Sequence, residues 1–248
     1  IIFYLLVNNV LYPSIGVRDG NSREKLSLPM MQIAYVVEKH EEDLSKEELT
    51  WVEKYIPVER IKSRFNPRFA DPIKSKFKTN NYDNDPFDFY KLYIKLGTRY
   101  LDDYISAFLN LNIPYWFMDA ETIDPYAGRG YLETGIYENH NYFFERDSKL
   151  PKLYEFYEGF ARYETEKEHF ILDKIYSLNL AIWLIVFMIC ISILKRQYKN
   201  ILIVLPFVLL WLTYLLGPVS NFRYIIPIYI MYPIIMYLIL RRKEDTTS

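Results

Sequence analysis

Residues 175–194, 201–222 and 224–240 are three stretches without one charged side chain. A helix needs about 20 apolar residues to cross ~30 Å of hydrocarbon, and about 17 is the lower limit. This pattern predicts three transmembrane helices. Tyr224, Tyr229, Tyr232 and Tyr237 supply rings of the kind favoured at interfaces. Pro206, Pro227 and Pro233 are tolerable where neighbouring segments satisfy the freed carbonyls. Three buried helices of a large soluble core are the alternative, but little sequence is left to cover them. The connectors give an orientation. Lys195-Arg196-Gln197-Tyr198-Lys199 follows the first run and Arg241-Arg242-Lys243 the third, so both clusters can lie on the cytoplasmic side, as the positive-inside rule asks.

Whole-chain averages conceal this division. The 248 residues carry a net charge of −1 at a mean hydropathy of −0.08. Residues 178–248 hold seven Lys/Arg and only two acids, Glu244 and Asp245, so residues 1–177 are acidic overall. Aromatic residues make up 18% of the chain, which excludes disorder, and the single Cys190 excludes a disulfide scaffold. The apolar opening Ile1-Ile-Phe-Tyr-Leu-Leu-Val7 lacks a basic n-region and is not a signal peptide. It reads as the end of a truncated transmembrane helix, with an interfacial helix as the alternative. The expectation is a mainly α, polytopic membrane protein of the bacterial cytoplasmic membrane. Residues 1–11 end a truncated or interfacial helix, 12–174 form a helix-rich extracytoplasmic domain, 175–240 three transmembrane helices, and 241–248 a cytoplasmic tail.

Within residues 12–174, Leu26 to Val37 has helical apolar spacing, with Pro29 in a first turn capped by Ser27. Ser45-Lys-Glu-Glu48 has the form of a capping box, and Pro57 ends the helix that follows. From Asp85-Pro86, residues Phe89, Leu92, Tyr93, Leu96, Tyr100, Tyr104, Ile105 and Phe108 predict one long helix, stopped by Asn110 and Pro114. Pro67 and Pro72 favour extended backbone around them. Residues 115–142 suggest short strands or a folded loop, and Pro151 opens a further helix.

Several chemistries lack a warrant. His40, His140 and His169 are isolated and no HExxH occurs, so no metal site is assigned. There is no P-loop and no GxSxG, and the acidic domain disfavours nucleic acid. Asp119 and Glu121 beside Tyr115 and Trp116 are candidate sugar contacts, because aromatic faces stack on C–H groups while carboxylates accept hydroxyl hydrogen bonds. A solvated acidic loop over an aromatic core contact explains them as well. Asp102-Asp103 reads as a solvated helix face. Arg23 and Glu24, with Gln32 downstream, are candidate ligand groups, against ordinary first-turn electrostatics. Arg223 could hold a phosphate bidentately or serve as an interfacial anchor.

The motifs Arg23-Glu-Lys-Leu-Ser-Leu-Pro29-Met-Met-Gln32, Phe65-Asn66-Pro67, Asp71-Pro72-Ile-Lys74, Pro114-Tyr115-Trp116 and Gly217-Pro-Val-Ser-Asn-Phe-Arg223-Tyr224 resemble an uncharacterised family of bacterial multi-pass membrane proteins. Its layout is similar to that of GT-C glycosyltransferases. The resemblance implies transfer of a sugar from a polyprenyl-phosphate donor to a cell-envelope acceptor, with no other cofactor evident. It also implies that the catalytic acid lies upstream, so no catalytic residue is assigned. Arg23, Glu24, Gln32, Asp71 and Arg223 carry over only as motif positions. The alternatives are a non-enzymatic envelope protein whose outer domain binds glycan or a partner protein, and a transporter or flippase fragment. The partners this reading expects are the bilayer, a lipid-linked sugar, envelope glycan and upstream helices of the same protein.

Overall fold

The computed structural model describes residues 6–16, 20–118, 148–161, 175 and 177–240. It divides into two compact units, residues 1–107 and residues 108–248.

In the first unit, two short helical turns, Val7–Leu11 and Tyr12–Ser14, are followed by a 3-10 turn, Ser22–Leu26, whose start is capped by Asn21. Helix α1 (Ser27–His40) is central and carries buried Met30, Met31, Ile33, Ala34, Val36 and Val37 on most of its circumference. Short helices surround it: α2 (Lys46–Glu53), α3 (Val58–Arg64), α4 (Asp71–Lys74) and α5 (Thr79–Asn84). The longer α6 (Pro86–Arg99) and α7 (Leu101–Asn112) follow, the end of α7 from residue 108 belonging to the second unit. α3, α4 and α6 all pack against α1.

The capping box forms as its residues predict. The Ser45 hydroxyl accepts from the Glu48 N–H at 3.2 Å, and the Ser45 N–H donates to Glu48 Oε2 at 3.0 Å. The α2 helix nevertheless ends at Glu53, before Pro57, which instead precedes α3. Ser27 is the first residue of α1 rather than its cap. The long helix expected from residue 86 is broken at Tyr100, whose φ of −126° and ψ of 49° leave the helical region. The break folds Tyr104 back onto Gly97. Pro151 does open a helix, α8 (Pro151–Ala161).

In the second unit, α9 (Leu178–Leu194), α10 (Ile201–Tyr214) and α11 (Phe222–Leu240) pack on one another. Leu178, Ala181, Ile185 and Met188 of α9 face Ile225, Ile228, Tyr232 and Ile235 of α11, with Tyr115, Val204 and Leu215 in the same cluster. Both stripes step by three and four, which keeps one seam buried. Several polar groups at this core are paired, although the Tyr115 hydroxyl and the Trp211 indole N–H are buried without a hydrogen-bond partner among the described residues. Tyr232 donates its hydroxyl to the Ala181 carbonyl, and Tyr229 donates to the Ser177 carbonyl at 2.5 Å. Asn112 Nδ2 donates to the Leu215 carbonyl at 3.0 Å, and the Ser220 hydroxyl to that of Leu111 at 3.0 Å.

These helices overturn the expectation of a polytopic membrane protein with three transmembrane helices. Among the described residues, no helix is long and apolar enough to cross a membrane. The uncharged runs are longer than the helices inside the first two of them. Extended backbone at Ser177 delays α9, leaving 17 residues, or ~26 Å at 1.5 Å per residue. α10 stops after 14 residues, where the Gly217 N–H turns back to the Tyr214 carbonyl; that is ~21 Å against ~30 Å of hydrocarbon. α11 opens on Phe222-Arg223 and contains Pro227 and Pro233.

Candidate functional site

The first unit holds an open hollow of about 850 Å³ lined by the outer face of α2, Lys78 and the start of α6. Trp51, Lys54 and Tyr55 are spaced at i, i+3 and i+4, so they share one side of the chain at the end of α2. All three converge on Asp88. The Trp51 indole N–H donates to Asp88 Oδ2 at 2.9 Å, Lys54 Nζ at 2.7 Å and the Tyr55 hydroxyl at 2.7 Å. Asp88 is itself fixed by the Asp85 cap, whose Oδ1 accepts from the Asp88 N–H at 3.0 Å.

The electrostatics follow from that convergence. The hydrogen bond from Lys54, aided by those from Tyr55 and Trp51, outweighs partial burial and holds the Asp88 carboxyl at about 2. Burial and the neighbouring Asp88 charge push the Tyr55 hydroxyl up to about 12. A carboxylate so strongly held is a poor general base at neutral pH. On the same hollow, Lys78 Nζ donates to the Glu53 carbonyl at 2.5 Å and to Glu53 Oε1 at 2.9 Å. Lys95 Nζ lies 5.8 Å from the centre of the Trp51 ring and 3.0 Å from Glu48 Oε1. The lining therefore offers an anchored indole, a hydroxyl at Thr50 and charges of both signs.

Three of the motif residues meet elsewhere in this unit, around a residue not singled out with them. Lys74 Nζ is 2.9 Å from Glu24 Oε2 and 2.8 Å from Asp71 Oδ1. Arg23 Nε is 3.5 Å from Glu24 Oε1. Burial opposes the Lys74 charge, but the two carboxylates outweigh it and raise its pKa; the hydrogen bond from Lys74 in turn lowers that of Glu24. This network ties the turn before α1 to α4. Gln32 does not join it. It is buried in the core, where Nε2 donates to the Tyr104 carbonyl at 3.0 Å and Oε1 accepts from the Tyr93 hydroxyl at 2.6 Å.

The expected sugar contacts separate. Tyr115 is fully buried in the second unit's core, with no face left for a ligand. Trp116 packs against that core, and its carbonyl accepts from the Trp183 indole at 3.3 Å. Asp119 and Glu121 lie outside the described residues. Arg223 is exposed at the start of α11, its guanidinium 5.1 Å from the centre of the Tyr224 ring and 3.3 Å from that hydroxyl. Asp103 is not solvated as expected. Lys39 Nζ lies 2.7 Å from Oδ1 and His40 Nε2 2.8 Å from Oδ2. Among the described residues, no group of His, Cys, Asp or Glu could hold a metal ion.

A family model described as a family of unknown function, DUF6020, matches residues 1–248. The chain belongs to the DUF6020 family. No curated protein and no solved structure matches this DUF6020 chain. The Trp51–Asp88 hollow was missed in the DUF6020 sequence because its partners come from helices 37 residues apart. Its one local signal is the face shared by Trp51, Lys54 and Tyr55.

Proposed function

We propose that the first unit is a non-enzymatic recognition module that binds carbohydrate at the Trp51–Asp88 hollow. One observation carries this reading: the indole of Trp51 is held by its N–H on Asp88, beside an open, mixed-charge lining. An indole anchored in this way loses little freedom when a sugar stacks on it. The C–H face of a pyranose suits such a ring, and Thr50, Glu53 and Lys78 can exchange hydrogen bonds with ring hydroxyls. The firmly ionised Asp88 positions the indole rather than moving protons.

The test titrates the full chain with soluble oligosaccharides of hexose and N-acetylhexosamine units, following the backbone amide resonances of the lining residues Thr50 and Lys54. Saturable shifts are expected, with affinity reduced at least about tenfold in Trp51→Ala and retained in part by Trp51→Phe. No saturable shift across the panel, or undiminished binding by Trp51→Ala, overturns the reading.

Sugar transfer from a polyprenyl-phosphate donor is a second reading, favoured by Arg223 alone. Its exposed guanidinium has no carboxylate partner among the described residues and is braced by Tyr224, as a phosphate-binding group requires. It predicts that Arg223→Ala abolishes transfer while the chain still accumulates; unchanged turnover sinks it.

A further inference from the structure

The turn joining α9 to α10 combines two properties that folded chains usually keep apart. Leu194, Tyr198 and Leu202 are 81%, 61% and 68% exposed. Lys195, Arg196 and Lys199 are exposed among them. Residues 177–240 contain no Asp or Glu at all, so the segment carries cations without a carboxylate of its own.

The turn is also sharply built. The Arg196 N–H returns to the Ile193 carbonyl at 2.9 Å and the Gln197 N–H to the Ser192 carbonyl at 2.9 Å. These two bonds make a Schellman ending, whose left-handed position usually falls to glycine. Here Arg196 takes it, with φ at +55°. A long cationic side chain thus occupies a position that disfavours it, at the tip of an apolar turn.

We propose that this turn docks on an anionic lipid bilayer at headgroup depth, with no helix crossing the membrane. Leu194, Tyr198 and Leu202 would enter the headgroup–acyl boundary while Arg196 and Lys199 meet lipid phosphates. An acidic protein patch would satisfy the cations but leave the exposed leucines in water. A second copy would bring two identical cationic tips together, which repel. An anionic bilayer alone offers negative charge and an apolar layer within one side chain's reach. This inference does not rest on the carbohydrate reading, which concerns the other unit.

Flotation of the full chain with vesicles of phosphatidylcholine, alone or containing phosphatidylglycerol, tests it. Binding is expected only with phosphatidylglycerol and should weaken as salt rises. The Arg196→Gln/Lys199→Gln variant, which preserves side-chain bulk at the strained position, should bind about 30-fold less tightly. An environment-sensitive dye on Tyr198→Cys, in a Cys190→Ser background, should shift to shorter wavelength on the anionic vesicles alone. Equal binding to both vesicle types, undiminished binding by the double variant, or an unshifted dye overturns the proposal. So does concentration-dependent self-association that the double variant abolishes, because the occupant would then be a second copy.

Discussion

The ring of Tyr104 lies so close to Gly97 that a Cβ at residue 97 would come within 2.8 Å of Tyr104 Cε1. The ring has little freedom to retreat, since it is buried and its hydroxyl donates to the Tyr93 carbonyl at 2.9 Å. Gly97→Ala gains up to about 1 kcal/mol in helix propensity. Overpacking of a filled site costs about 1–3 kcal/mol. The net expectation is a destabilisation of about 1 kcal/mol, read from urea unfolding. A more stable Gly97→Ala protein would show that the helices separate here without cost.

Gln32 spends both ends of its amide inside the core, so its removal leaves two partners unsatisfied. Gln32→Leu is expected to cost about 1–3 kcal/mol and Tyr93→Phe about 1 kcal/mol. The double variant should cost less than the sum, because each loss includes the same bond. Strict additivity in a double-mutant cycle would show that the 2.6 Å contact contributes nothing to stability.

Asp88 supplies a pH dependence of known sign. Its carboxyl sits near 2, below the ordinary 3.8, so the folded chain favours the ionised form. The stabilisation is present in full above about pH 4 and is lost as pH falls toward 2. A carboxyl 13C titration should place the Asp88 midpoint near 2, and Asp88→Asn should flatten the acid limb of the stability profile. A midpoint near 4 would mean that Trp51, Lys54 and Tyr55 do not hold the carboxylate in solution.

Local signals were the legible ones. Ser45 and Glu48 announce a helix start by chemistry confined to four residues, and Pro151 does the same. The apolar runs were misread because hydropathy records what a segment avoids and says little about where its helix stops. Extended backbone at Ser177 and the turn at Gly217 decide that instead. Arg23, Glu24 and Asp71 were named as motif positions, and no spacing in the sequence shows that they gather around Lys74, since residues 24 and 74 meet only through the tertiary fold. Tyr115 shows the converse limit. An aromatic beside acidic neighbours reads as a sugar platform until packing puts it inside a core.

The lack of carboxylates in residues 177–240 reaches beyond any single contact. That stretch has no histidine either, so mild acidification finds no ordinary proton acceptor there. In the first unit a fall in pH meets carboxylates, among them Glu24, held below its ordinary value by the hydrogen bond from Lys74, and Asp88, held at about 2. One part of the chain thus keeps a constant electrical character through a drop in pH, while the other is retuned by it.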